Sequence, residues 1–474
     1  SNNNGTRAAS RALTLENQSA FLIQATVPAD LTPGLWSVWV EQIVDKTLVA
    51  SNEVYINAPD VSHYPTPDVA PGESLAIYGR NLTKDKNDAN GYRQSAVVFK
   101  HNGTSLTASV TGGDWFHLVV KAPAGLQPGT DYDVYVSNGL GGELGLIKAQ
   151  SDKPLKVVAA GTADTLGLGV NWARKLDFVN DASRTYNVKT DPRLARKAVG
   201  DGVTNDRQAI QEAIDAAAAG GGGVVYLPQS TYYVSIGTND TIVLRSKVVL
   251  KGEGTDKTTI KYGVRDVKDL SYFLRFQDID NGAGGLAGIT SLTITNINHD
   301  NSDPNLDFVG GSAGISFGNA GQTFMTKVKY DMGPHDFVGS EYSSQLLISD
   351  SEMTSLYSWI GPAFRFSGKK PNAEMSAERS ANSGYYNRYS GNTFTYLNGR
   401  FSLFEQQDST FENNQVISDV RAQPNLQTHN TCCSGGVTFN FSNFTALIGN
   451  TVKTVNGINR FGVNDREAFV TENP

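Results

Sequence analysis

Apolar residues in this chain recur with two different periods, and the switch between them marks its organisation. Ile210, Ala213, Ile214 and Ala217 fall at helical spacing and make one apolar face. The turn Gly200–Asp201–Gly202 and the small polar residues Thr204, Asn205 and Asp206, suited to capping, precede them. The run Gly220 to Gly223 ends the helix, and Val224, Val225, Tyr226 and Leu227 follow as a buried strand closed by Pro228. The pattern predicts a helix over about residues 205–219, laid across the open end of a sheet that the next strand begins.

From residue 241 onward, short alternating runs are punctuated by Asn, Gly and Asp, as in TIVLRSKVVLKGEG (241–254), SLTITNI (291–297) and SQLLISDSEM (344–353). The fragments GNTFTYLNG (391–399), FENNQVISD (411–419) and IGNTVKTVN (448–456) each set an Asn just before or within a strand. An Asn side chain can satisfy local backbone groups at a sharp bend, so stacked asparagines are expected there. One strand type recurs through GISFGN (314–319), GPAFRFSG (361–368), RFSLFEQQ (400–407), GGVTFNFS (435–442) and REAFVTEN (466–473). Its copies lie roughly 30 to 50 residues apart, longer than a bare solenoid rung of about 20 to 25. The excess must leave as loops, the usual place for a binding cleft.

The first 158 residues instead carry a repeat. Residues 27–40 (VPADLTPGLWSVWV) match 122–136 (APAGLQPGTDYDVYV), pairing Pro28 with Pro123, Leu31 with Leu126 and Pro33-Gly34 with Pro128-Gly129. Period-two strands follow in both: Trp36, Val38, Val40 and Tyr132, Val134, Val136. The second copy has an opening half with PGESLAIYGRNLT (71–83), whose G-x-N-L turn resembles the immunoglobulin-like IPT or TIG modules. The first copy has no such half, which leaves strand edges and an apolar face bare. Core packing is the expected role of Trp36, Trp39, Trp115 and Tyr132, with sugar stacking the alternative.

The D-G-V-T-N-D turn, the helix and the V-Y-L-P strand together resemble the opening of the pectate-lyase-3-like superfamily. The resemblance implies an all-β chain: a right-handed parallel β-helix capped by the helix, after N-terminal immunoglobulin-like β-sandwich modules. Expected boundaries are 1–58 for a partial module, 59–158 for a complete one and 159–474 for the β-helix. The superfamily includes polysaccharide lyases, polygalacturonase-related hydrolases, alginate epimerases and phage depolymerases, so it specifies fold more than reaction. A βαβ phosphate site fits less well, because the glycines follow the helix and no G-x-G-x-x-G follows a strand.

Composition narrows the function classes. The 474 residues suit two or three domains, and a net charge of −7 argues against nonspecific nucleic-acid binding. No apolar run reaches the ~18 residues of a membrane span, and no signal peptide is present. EAFVTENP reads as the middle of a rung, so both termini look cut. A processed secreted or cell-surface protein is expected, with a complementary chain completing both ends as one reading. Cys432 and Cys433 are adjacent, which excludes a long-range disulfide framework. Reduced thiols are the plain expectation, a vicinal disulfide by a sugar site the alternative. No cofactor or metal is expected, since no D-x-D-x-D-G run or zinc spacing occurs.

Three clusters could carry chemistry. YDMGPHDF holds Tyr330, Asp331, His335 and Asp336, and faintly resembles the Y-x-x-x-P-H-acid element of alginate epimerases, where His and Tyr act as base and acid. Gly333 stands where that family has Asp. The second cluster is Glu405, Asp408 and Glu412, followed by His429; two carboxylates in one cleft can divide acid and base work on a glycosidic bond. The third is Asn464, Asp465, Arg466 and Glu467, with Arg suited to a charged sugar. Tyr385, Tyr386, Arg388 and Tyr389 could wall a sugar site, and Arg365 sits in the recurrent strand. Solvated rung edges or structural turns are the bland alternative for each. Polygalacturonase signatures (N-T-D, D-D, G-H-G, R-I-K) are not present in order.

The leading expectation is a polysaccharide-cleaving hydrolase with catalytic Glu405, Asp408, Glu467, His335 and Asp336. Its expected substrate-binding residues are Arg365, Tyr385, Tyr386, Arg388, Tyr389, His429 and Arg466. A uronate lyase or epimerase and a noncatalytic glycan-binding surface protein are the alternatives.

Overall fold

The computed structural model describes residues 10–472 except 20, 33, 150–153, 237–239, 265–271, 277–284, 298–313, 319, 333–335, 342, 356–363, 368–383, 397–400, 405, 420–436, 441–445 and 456–468. The chain forms two compact units, Ser1–Ala160 and Gly161–Pro474.

In the first unit, nine strands between Asp60 and Val157 curl around one core that includes Val61, Ile77, Val97, Phe99, Leu118, Val134 and Val136. Alternation does this work: in Asp131–Ser137, Tyr132, Val134 and Val136 turn inward, and Tyr132 is buried in the core. The G-R-N-L turn places Asn81 at φ 54, and its side-chain amide donates to the Ala58 carbonyl at 3.1 Å. Among the described residues, 14–56 pair as two-stranded ribbons: Thr14–Gln18 with Ile23–Thr26, Trp36–Val38 with Val54–Ile56, and Glu41–Val44 with Thr47–Ala50.

The second unit is a three-sided parallel β-helix. A bent 16-stranded sheet supplies two sides, and a separate eight-stranded sheet supplies the third. We call the sides A, B and C in the order the chain visits them. Within one rung, Leu347–Ser349 lies in A, Glu352–Ser355 in B and Phe364–Ser367 in C. Register is strict across rungs. In B, Ile260, Ile294, Tyr330, Met353, Phe394 and Val416 stack one above another, and each is fully buried.

Helix Arg207–Ala219 closes the first rung with Ala209, Ile210, Ala213, Ile214 and Ala217 buried against Tyr186, Val225, Leu227, Ile242 and Val248. The predicted apolar face is the packed one. The cap differs in detail: Asp206 occupies the N-cap position without a side-chain capping bond. Its carboxylate instead accepts from the amides of Val199 at 2.7 Å and Gly200 at 3.0 Å, closing the turn before the helix. Burial raises the Asp206 pKa, an effect those two amides oppose. Gly223 has no alternative, because a Cβ there would lie 2.3 Å from the Arg184 carbonyl oxygen.

Sides A and B meet at a two-residue corner repeated down the solenoid. The first residue is left-handed: Ser291, Lys327, Asp350, Gly391, Asn413 and Gly449 have φ between 48 and 67. The second is Leu292, Val328 and Ser351 in the first three corners and an inward asparagine ladder in the last three. Asn392 Nδ2 donates to Asn414 Oδ1 at 2.9 Å, and Asn414 Nδ2 donates to Asn450 Oδ1 at 3.1 Å. Each amide also donates across to a strand carbonyl, of Ile348, Tyr389 and Phe411 respectively. These are the three asparagines set before strands in the sequence fragments.

Asn414→Ala leaves buried donors and acceptors on both neighbouring rungs unpaired. The expected loss is about 1–3 kcal/mol of stability in urea denaturation followed by circular dichroism.

Candidate functional site

The three sides are not equally available. On A, Val224, Val249, Phe324 and Leu347 form an outward apolar row, covered by Leu168, Trp172, Leu176 and Phe178 from the segment before the first rung. Arg388 continues that row. It donates from Nη1 to the Gly169 carbonyl at 2.6 Å and from Nε to Glu412 Oε1 at 2.7 Å, fastening the covering segment. Arg388 is therefore a strap anchor rather than a sugar contact, and its partner Glu412 is committed to it.

Side B turns short polar residues outward. Thr259, Thr293, Lys329, Glu352 and Thr393 occupy one row. Such a row is the ordinary dress of a solvated sheet.

Side C differs because of its connections. A and B are joined by tight corners in the later rungs, whereas the B-to-C connections run through 297–313, 420–436 and 456–468, and 368–383 follows a C strand. The outer row of this sheet is where the sequence-expected Arg365 falls, which makes that face the candidate site. All five copies of the strand type followed in the sequence lie in it, as Gly314–Ser316, Phe364–Ser367, Phe401–Phe404, Val437–Asn440 and Phe469–Glu472.

Leu274, Ile315 and Val338 are fully buried along the inner row of C. The alternate row runs Val243, Arg275, Ser316, Gly339, Arg365, Ser402 and Thr438. Arg275 is half-buried, with its guanidinium 5.4 Å from the Tyr272 ring centroid. Arg275 and Arg365 occupy register positions three strands apart, roughly 14 Å at ordinary strand spacing. Gly339 and Ser316 lie between them and keep that stretch of the row low.

The corner from C to A adds a ledge. Gln322, Gln345, Tyr386 and Asp408 hold successive left-handed positions, with φ of 53, 58, 61 and 52. Gln322 Nε2 donates to Gln345 Oε1 at 2.8 Å. Tyr385 pairs with Gln407, and the Tyr385 and Tyr386 rings lie 5.9 Å apart, both half-buried. The structure thus brings Tyr385, Tyr386 and Asp408 together.

Two expected site residues sit elsewhere. Tyr389 belongs to the inner row of A, 1% exposed between Ile348 and Phe411, so it packs the core and does not meet a polymer. Asp336 is also 1% exposed. Its carboxylate accepts from the Tyr262 hydroxyl and, at 2.9 Å, from Asn296 Nδ2. It anchors the start of strand Phe337–Glu341 from inside and is not a groove acid. Tyr330 is interior too, its hydroxyl 2.7 Å from that of Tyr262, and burial raises both phenols well above their ordinary range. Tyr330 therefore does not present its hydroxyl to the outer face. Glu405, His335, His429, Arg466, Glu467, Cys432 and Cys433 lie outside the described residues.

Sequence reasoning missed Arg275, Gln322, Gln345 and Gln407. A signal for Arg275 existed: LRF at 274–276 repeats the FRF at 364–366 with Arg central in both. The glutamines had none, because left-handed corners here are not marked by glycine. Among the described residues, no group of three His, Cys, Asp or Glu side chains could hold a metal, and no helix is long and apolar enough to cross a membrane.

A right-handed parallel β-helix defines the class. The chain belongs to the rhamnogalacturonase A/epimerase, pectate lyase-like family, whose sequence profile matches residues 195–440. It is similar to mannuronan C5-epimerase AlgE6 of Azotobacter vinelandii, 52% identical over 79 residues that make 16% of this chain and 8% of that protein. Alginate lyase 7 of the same organism is 38% identical over 125 residues, 26% of this chain and 14% of the relative. Among solved structures, the Yersinia enterocolitica family 28 exopolygalacturonase aligns over 85% of this chain and 88% of its own, with 10% identity and a TM-score of 0.32. The A-module of A. vinelandii epimerase AlgE4 aligns over 56% and 95%, with 17% identity and a TM-score of 0.23.

Tyr389→Ala should cost about 3–5 kcal/mol, the usual loss for emptying a buried aromatic site. Tyr386→Gly should keep the melting temperature, because glycine suits the left-handed corner, while weakening glycan binding in calorimetry.

Proposed function

We propose that the protein is an enzyme of acidic polysaccharides that removes the C5 proton of a uronate unit in the side C groove. The observation that carries this reading is the row holding Arg275 and Arg365 on either side of Ser316 and Gly339. An arginine pairs with a sugar carboxylate in fork geometry and withdraws its charge, which makes the neighbouring C5–H acidic. A base then takes the C5 proton and leaves a carboxylate-stabilised anion. Return of a proton to the opposite face inverts C5 and breaks no linkage. Expulsion of the 4-O-linked sugar instead leaves a C4=C5 double bond and a protonated leaving oxygen. The same first step serves both epimerase and lyase. The activities of the relatives, mannuronan C5-epimerase and alginate lyase, support this reading over hydrolysis.

In this proposal His335 is the base: it directly precedes Asp336, whose buried anchorage fixes the start of a side C strand. Tyr385 and Tyr386 supply the wall against which the sugar lies. Paired-carboxylate hydrolysis rests on Glu405 with Asp408, since Glu412 is held by Arg388. A location outside the cell suits a polymer substrate.

The test is incubation with polymannuronate in D2O, with three readouts: deuterium at C5 by NMR, ultraviolet absorbance of unsaturated ends, and reducing ends. Deuterium at C5 or unsaturated ends are expected. Arg275→Ala should lower kcat/KM by roughly 10- to 100-fold, the loss of a hydrogen bond to a charged group. Reducing ends without either other signal would mean hydrolysis and move the chemistry to Asp408 and Glu405.

A further inference from the structure

Along the outer row of side C, from Val243 to Val470, only the register positions of Arg275 and Arg365 carry charge. Arg275 differs from Arg193, Arg207 and Arg388, which each meet a carboxylate, of Asp191, Asp240 and Glu412 respectively. Among the described residues no carboxylate pairs with Arg275, which is half-buried beside the Tyr272 ring. A half-buried cation without an anion from its own chain is a place for one from outside.

The two arginine positions are three strands apart, roughly 14 Å along the solenoid axis. Ser316 and Gly339 between them carry too little side chain to interrupt a polymer lying along the row. A 1,4-linked pyranose advances its chain by roughly 5 Å, a few bonds of about 1.5 Å each. The gap therefore matches three units. A chain with a three-fold twist brings the carboxylates of its first and fourth units to the same side.

On the reading of side C as the substrate face, we infer that Arg275 and Arg365 take the carboxylates of units three apart in one polyuronate chain. The two units between them lie over Ser316 and Gly339. Three is an odd step, and that decides which polymers fit. A polymer alternating a uronate with a neutral sugar has its carboxylates an even number of units apart, so it fills one arginine and offers the other a neutral unit. An unbroken run of four uronates is the shortest chain that fills both.

The experiment titrates the full chain by calorimetry with trimers, tetramers and pentamers of mannuronate and of galacturonate. A hexasaccharide alternating glucuronate with N-acetylglucosamine is the comparison. In one of the two uronate series, affinity should rise by roughly 10- to 100-fold from trimer to tetramer, the gain of a second charge-assisted contact, and little further at the pentamer. The alternating hexasaccharide should bind no better than the trimer. Arg365→Gln should bring the tetramer down to the trimer's affinity with the melting temperature kept. An even gain with length, no gain, a step shared by the alternating hexasaccharide, or a step that survives Arg365→Gln overturns the inference. Deuterium at C5 and unsaturated ends are followed on the same oligomers. Turnover without a step overturns this inference alone, whereas a step without turnover supports it and overturns the proposed reaction.

Discussion

The structure depends on a repeated corner between two sides of the β-helix. A solenoid rung must turn sharply without leaving backbone groups unpaired in the interior. Here a left-handed residue makes the turn, and in the last three corners an inward asparagine satisfies the exposed groups of two rungs at once. Because each amide bonds to the next, the corner fixes register as well as direction. Register then decides which side chains share a row, and the shared rows create both the core and the outer row of side C.

The same logic assigns the three outer faces. Side A is apolar outside and is closed by the strap carrying Trp172, whose ring lies 6.2 Å from that of Phe324. Arg388 and Glu412 end that seal. Side B, joined to A by tight corners, has little length to spare for loops. Side C carries a row in which glycine and serine separate two arginines. The proposed site thus lies on a sheet whose rigidity is shared with the two other sides.

Much of this was legible in the sequence because it depends on spacing. The capping helix, the asparagines of the ladder and the recurring strand of side C all announce themselves through periodicity or small-residue punctuation. Side-chain direction was less legible. Tyr385, Tyr386 and Tyr389 are near neighbours in sequence, yet a left-handed residue at Tyr386 leaves two on the ledge and sends the third into the core. Asp336 looks like a catalytic acid beside His335, and becomes an interior anchor because Tyr262 and Asn296 reach it from other rungs. Contacts between rungs are long-range, and no local pattern records them.

The most direct measurement is a crystal structure of the His335→Gln variant with a short polymannuronate oligosaccharide. The account expects the sugar to lie on side C, with carboxylates on Arg275 and Arg365 and a ring against Tyr386. An oligosaccharide bound to the threonine-lined face of side B, with side C unoccupied, would contradict it.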